Sequence, residues 1–136
     1  MSSNFVKTKV EWNEFYIHRI AYDSGKMDTP KIHEYNSETK TMTMRKVPQM
    51  SIADMYGDDK KDLPPKLWTA IREIIVKLND MGINYPDITP YNFIESGDKV
   101  WIIDFGDASI QTKKNKPDKF MLKFINGHNG WNEKFR

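Results

Sequence analysis

Three oxygen-bearing side chains crowd the segment 84–108, NYPDITPYNFIESGDKVWIIDFGDA: Asp87, then Asn92 five residues on, then Asp104 twelve beyond that. Pro86 and Pro90 keep YPDITPYN from being helical, since proline removes an N–H and pushes its predecessor into extended backbone. NFIE and KVWIIDF flank the turn SGD and read as a hairpin. If they pair, Asn92 at the entry of one strand lies beside Asp104 at the exit of the other. One edge then presents both oxygens. Hard Mg²⁺ suits such a set, because it takes a few oxygen ligands plus waters or phosphates, and a nearby carboxylate can orient or deprotonate an accepting hydroxyl. The chemistry that combination would perform is phosphoryl transfer. Singly, each residue also has a structural reading: Asp87 in a proline-bounded turn, Asn92 capping a strand, Asp104 opening a turn before glycine.

The elements that must position these groups follow from periodicity. Phe5, Val6 and Val10 around Lys7 and Lys9 suggest a first strand. Trp12, Phe15, Tyr16 and Ile20 form one apolar stripe of a helix that ends near Gly25. PKIHEYN and KTMTMRKV are two strands joined by SETK, and Pro48 stops the second at a waist in the chain. SIADMYG is a short helical piece and DDKKDLPP a loop. Leu67, Ile71, Ile74, Ile75 and Leu78 then mark an amphipathic helix over 65–81, with Pro65 in its first turn and Gly82 at its end. The unbroken apolar run of KVWIIDF predicts a strand buried on both faces. Phe120, Leu122, Phe124 and Ile125 predict a short helix or strand that docks on the body, and the glycine- and asparagine-rich NGHNGWNEKFR is expected to fray. The fold class expected is α+β.

At 136 residues the chain is one domain by size. A net charge of +2 gives no support for nucleic acid as a partner or for an anionic membrane surface. No cysteine is present, so neither disulfides nor thiolate metal sites are available, which suits a reducing, intracellular (cytoplasmic) setting. No window approaches the roughly 18 apolar residues of a membrane span, and the amino terminus lacks the apolar run of a signal peptide. His18, His33 and His128 are scattered without zinc spacing, Met42 and Met44 read as strand core, and the lysines of 113–123 read as a solvated face.

On YPDITPYN and IIDFGDA the chain resembles the protein-kinase-like superfamily. The first looks like the catalytic loop H-R-D-x-x-x-x-N and the second like the strand leading into D-F-G. The resemblance covers about residues 5–110 and implies a minimal kinase-like fold. Its parts would be a truncated amino-lobe sheet over 1–47, a reduced, mainly helical carboxy-lobe over 48–110, and a basic, aromatic tail over 111–136. It implies Asp87 as catalytic base, with Asn92 and Asp104 as metal ligands. TMTMRKVPQMS would be the last amino-lobe strand and the hinge, placing nucleotide near Val47. ATP and Mg²⁺ are the implied cofactors. The lysine that reaches the α/β-phosphates would be Lys7 or Lys9, paired with Glu14 or Glu11 on the following helix.

The departures from the family pattern shape the expected function. Only MSSN precedes Phe5 and no glycine occurs before Gly25, so the glycine-rich flap over the phosphates is expected to be absent. Tyr85 and Pro86 replace the histidine and arginine of H-R-D, which removes the arginine that receives an activation-loop phosphate. Thr89 stands where serine/threonine protein kinases carry lysine, so D-I-T is closer to the D-L-T of small atypical kinases linked to tRNA modification. A Mg²⁺/ATP-dependent phosphotransferase of serine/threonine-kinase type is the leading expectation, with a protein partner completing its site. The alternative is a pseudokinase that serves as a binding or structural module, with Trp131 and Phe135 either as interface anchors or as cover for the chain's own core. A lysine-, asparagine- and isoleucine-rich composition suits an AT-rich genome, and shortened kinase-like proteins of this look occur in large DNA viruses, so a viral origin is expected.

Overall fold

Strand β1 (Asn4–Lys7) begins the fold that a computed structural model describes over residues 3–135. The ends of the chain, residues 1, 2 and 136, lie outside the described residues. β1 stops before Val10 because Lys9 takes a left-handed backbone, φ 59°, that a strand cannot accommodate. Val10 is nonetheless buried, and its N–H donates to the Lys40 carbonyl at 2.8 Å.

Helix α1 (Trp12–Ser24) ends where Gly25 turns left-handed, φ 67°, and its N–H bonds the Tyr22 carbonyl. Its buried face is not the apolar stripe expected from sequence. Glu14, Ile17, His18 and Ala21 point inward, while Trp12 and Tyr16 stay 59% and 46% exposed. The aromatic stripe has another use: Phe15 stacks on Tyr35 at 4.4 Å and Trp12 leans on Phe15 at 5.3 Å, covering the sheet from one side. The inward polar groups are tolerated because each finds a partner.

Strands β2 (Ile32–Asn36) and β3 (Thr41–Arg45) form the expected hairpin, and the Asn36 carboxamide oxygen accepts the N–H groups of Glu38 and Thr39 to shape its turn. The antiparallel sheet runs β1-β3-β2, with Phe5 opposite Met44 and Tyr35 opposite Met42. Met42, Met44 and Val10 make its small core, flanked by Phe15, Ile32 and Tyr35.

Helix α2 (Ile52–Tyr56) starts at Ser51, whose side chain accepts the Asp54 N–H. After a single 3-10 turn, α3 (Pro65–Asp80) buries Leu67, Trp68, Ile71, Ile74, Ile75 and Leu78 along one stripe. At about 1.5–3 kcal/mol for each large apolar side chain, that stripe is the main anchor of the larger core. A pair that the sequence did not announce, β4 (Ile83–Asn84) with β7 (Ser109–Ile110), follows Gly82. Between them lies the expected hairpin of β5 (Phe93–Ser96) and β6 (Lys99–Ile102). β6 is less enclosed than its apolar run suggested: Val100 and Ile102 are buried, but Trp101 alternates to the other face and stays partly exposed.

Helix α4 (Lys119–Ile125) is capped by Asp118 and sends Met121 and Phe124 into the main core. The described residues after it, 126–135, do not fray. Arg72 on α3 donates to the carbonyls of Phe124 and His128 and to the Asn129 side chain, and Trp131 packs on Trp68 at 4.5 Å. Trp131 is 4% exposed, so it closes the chain's own core and is no free interface anchor.

Candidate functional site

The β5–β6 register sets the site. Phe93 faces Ile102, and one step further the Ile103 N–H donates to the Asn92 carbonyl at 3.0 Å. Asn92, in a 3-10 turn after Pro90, therefore stands next to Asp104 at the open end of the hairpin. Its Nδ2 donates to the Asp87 carbonyl at 2.9 Å, which ties the proline-bounded loop to the same edge. Asp104 is fixed twice. Its Oδ1 accepts the Gly106 N–H at 2.8 Å, and its carbonyl accepts the buried Tyr85 hydroxyl. Tyr85 also meets Phe105 edge-on at 5.7 Å. A Cβ on Gly106 would come within 3.2 Å of Asp104 Oδ1, so that carboxylate would have to give by a few tenths of an ångström, and within 3.4 Å of Glu14 Oε1, an ordinary contact.

Strand β1 and helix α1 supply the opposing charge. Lys7 Nζ lies 2.5 Å from Glu14 Oε2 and 3.2 Å from Asp104 Oδ1. Of the two lysines considered from sequence, the structure brings Lys7 to the carboxylates and leaves Lys9 exposed on its left-handed turn. Glu11 is likewise elsewhere, paired with Lys40 at 2.8 Å on the surface. Burial by itself would lower the Lys7 pKa, but the Glu14 hydrogen bond and the charges of Asp104 and Glu14 outweigh it, so the ammonium ends above its ordinary value. Glu14 is raised, first by burial and then by the charges of Asp104 and Asp107, against the lowering effect of Lys7.

A cleft of about 430 Å³ opens between the part that carries the β1-β3-β2 sheet and the part that carries the β5–β6 hairpin, lined among others by Phe5, Lys7, Met44, Val47, Asn92 and Asp104. Its volume falls in the range of small-molecule sites, with apolar walls on the sheet side and convergent polar groups at one end. A larger cleft of about 640 Å³, between the loop at 58–60 and residues 130–133, contains none of these groups. Asp87 does not line the smaller cleft and reaches it through Asn92. Its Oδ1 is buried with no hydrogen-bond partner. Burial raises its pKa, opposed by Asn92 and Thr89 and reinforced by the charges of Asp107 and Asp104. The arrangement offers a cation to a phosphate, two hard oxygens to a metal and a carboxyl of raised pKa to a proton.

Several supporting residues carried no sequence signal. His18, on the inward face of α1, bonds the Pro30 carbonyl at 2.8 Å and touches Thr29, whose hydroxyl donates to the Ile102 carbonyl at 2.7 Å. Asn13 Nδ2 donates to the Ala108 carbonyl at 2.9 Å. These bonds join residues up to 95 positions apart, which no local pattern reveals. Tyr85 was noticed only as a departure from a motif.

The family model RIO1, the RIO domain, matches residues 3–126 of this sequence. The chain is a RIO-domain protein. The family is one of protein-kinase-like atypical kinases, which accounts for the likeness of YPDITPYN and IIDFGDA to kinase motifs. This RIO-domain chain is 33% identical over 70 residues to the 3-deoxy-D-manno-octulosonic acid kinase of Vibrio parahaemolyticus serotype O3:K6 (strain RIMD 2210633), a match covering 48% of the chain and 29% of that protein. Among solved structures it is similar to the BubR1 kinase domain, with a TM-score of 0.63 and 19% identity over 86% of this chain and 41% of that one. It is also similar to the Rio2 kinase–ADP/Mg²⁺–phosphoaspartate complex from Chaetomium thermophilum, with a TM-score of 0.61 and 15% identity over 84% of this chain and 35% of that one. The fold of the RIO-domain chain is thus kinase-like, a mixed arrangement of four helices and small sheets. The chain spans less than half the length of each of these proteins. None of its described helices is long and apolar enough to cross a membrane.

Proposed function

We propose that this chain binds ATP with Mg²⁺ in the 430 Å³ cleft and transfers the terminal phosphoryl group to a hydroxyl, the serine or threonine of a protein being the acceptor suggested by its kinase-like motifs. The observation that carries the reading is the convergence of Lys7, held by Glu14, on Asp104 in a cleft that Asn92 also lines. The base of the nucleotide fits between Phe5, Met44 and Val47, and Lys7 then meets its phosphates. Asn92 and Asp104 would hold Mg²⁺. Among the described residues no three carboxylate or imidazole groups form a metal cage, so the remaining ligands would be phosphate oxygens and water, as Mg²⁺ prefers. The metal supplies charge neutralisation at the phosphates. Asp87, tied to the edge of the cleft through Asn92, orients the acceptor hydroxyl and takes its proton.

Two measurements test the proposal. Mg²⁺ with ATP at about a hundred times its Kd stabilises a protein that binds it by about 2.7 kcal/mol, so the melting temperature of the wild-type chain rises and that of Lys7→Met or Asp104→Ala does not. Phosphate release or transfer is then compared between wild type and Asp87→Asn. Equal background rates in the two would refute the phosphotransfer reading, and stabilisation by ATP without turnover would favour the binding module.

A further inference from the structure

Asp87 is gripped from outside its own loop. Asn132, 8% exposed, sends its side-chain Nδ2 to the Pro86 carbonyl at 2.8 Å and its backbone N–H to the Ile88 carbonyl at 2.8 Å. One asparagine therefore holds the residues immediately before and after Asp87. Its own carboxamide cannot turn over, because Oδ1 accepts the Lys134 N–H at 3.2 Å while Nδ2 is committed to Pro86. The segment that carries it is anchored on its amino-terminal side by the Arg72 bonds to residues 128 and 129, and on the other side the 3-10 turn over Glu133–Phe135 closes back on the Asn132 carbonyl through the Phe135 N–H.

The loop needs such a grip. Pro86 and Pro90 have no N–H to donate, and the internal ties of the loop are short-range: Ile88 N–H to the Pro86 carbonyl, Thr89 N–H to the Asp87 carbonyl, and Asn92 Nδ2 to that same carbonyl. They shape the turn, and buried Ile88 and Thr89 with the Asn92 bond seat it on the body. The two bonds from Asn132 add a separate hold on the backbone either side of Asp87, and Trp131 beside it is wedged on Trp68.

We infer that Asn132 is a positioning residue for phosphoryl transfer, holding the backbone on both sides of Asp87 so that its carboxyl stays aligned with the acceptor hydroxyl. This rests on the function proposed above. Displacement of a reacting group by about 1 Å costs on the order of a hundredfold in rate, so the effect of releasing the clamp is large enough to measure.

The test uses the full chain and two variants. Asn132→Asp keeps the shape, the backbone donor and the Oδ1 acceptor but puts an oxygen against the Pro86 carbonyl. Asn132→Ala removes the side chain without that repulsion and serves if the first variant folds poorly. With ATP, Mg²⁺ and turnover measured well below the melting temperature, kcat falls at least about tenfold. KM for ATP stays within about twofold, because Asn132 borders the 640 Å³ cleft and not the nucleotide cleft. Amide hydrogen exchange accelerates at residues 88, 89 and 132 and is unchanged along α3. A lower melting temperature with wild-type kcat, or unchanged exchange at 88 and 89, overturns the inference, since either is what a purely structural tail would give. A wild-type chain without turnover refutes the phosphotransfer reading itself and takes this inference with it.

Discussion

His18 ties the stability of this fold to pH. It is 1% exposed, and burial pulls its pKa from 6.5 down to about 4, with the Lys7 charge in the same sense and the Pro30 carbonyl and Asp104 opposing. The Pro30 bond requires a proton on Nε2, and the buried ring is neutral in that tautomer. Between pH 6.5 and about 4 the unfolded chain binds a proton on this residue and the folded chain does not. The contribution is therefore complete above pH 6.5, drains as the solution is acidified, and is gone near pH 4. At about 1.36 kcal/mol for each pH unit of that gap, the loss is roughly 3 kcal/mol, or about 10 °C in melting temperature for a domain of this size. Glu14 and Asp87 are displaced upward, so they favour the folded state on acidification and partly mask the effect. The clean quantity is the difference between wild type and His18→Gln, whose amide can still donate toward Pro30. Urea unfolding in metal-free buffer from pH 4 to 7.5 should give a variant curve flatter by that amount. Parallel curves would refute the assignment of a depressed, buried imidazole.

Two further substitutions probe the site and its support. Gly106→Ala places a methyl group against Asp104 and should weaken the affinity for Mg²⁺ and ATP at least about tenfold while changing unfolding free energy by less than about 1 kcal/mol; retained nucleotide binding would show that the close approach is slack. Trp131→Ala empties the contact with Trp68 and should destabilise by about 3–5 kcal/mol in urea, whereas a loss below about 1 kcal/mol would mean that the carboxy-terminal segment is not part of the core.

Physical reasons separate what the sequence disclosed from what it hid. α3 and the β2–β3 and β5–β6 hairpins were legible because a helical stripe from Leu67 to Leu78 and turn residues between apolar runs are local signals. The closeness of Asn92 and Asp104 followed from that hairpin alone. α1 was placed correctly along the chain but given the wrong face, since apolar periodicity assumes that polar residues point outward. Glu14 and His18 point inward because Lys7 and Pro30 meet them there. Lys7 could not be told from Lys9 until the backbone turned left-handed at Lys9. The last residues looked like loop by composition. What orders them is a fork of hydrogen bonds from Arg72 and the two bonds of Asn132 to Pro86 and Ile88, all spanning at least 44 residues.

The two parts that frame the cleft are fastened at several places besides the connection near Pro48. Asn13 to Ala108 and Thr29 to Ile102 are neutral, and a backbone bond from Ile102 to the Asp28 carbonyl reinforces them; Lys7 to Asp104 is ionic. Dissolved electrolyte weakens only the last. Salt therefore acts on the one fastening whose two residues both line the cleft, Lys7 to Asp104. It leaves in place the neutral bonds, none of which involves a lining residue, so added electrolyte loosens the cleft lining before it loosens the joint.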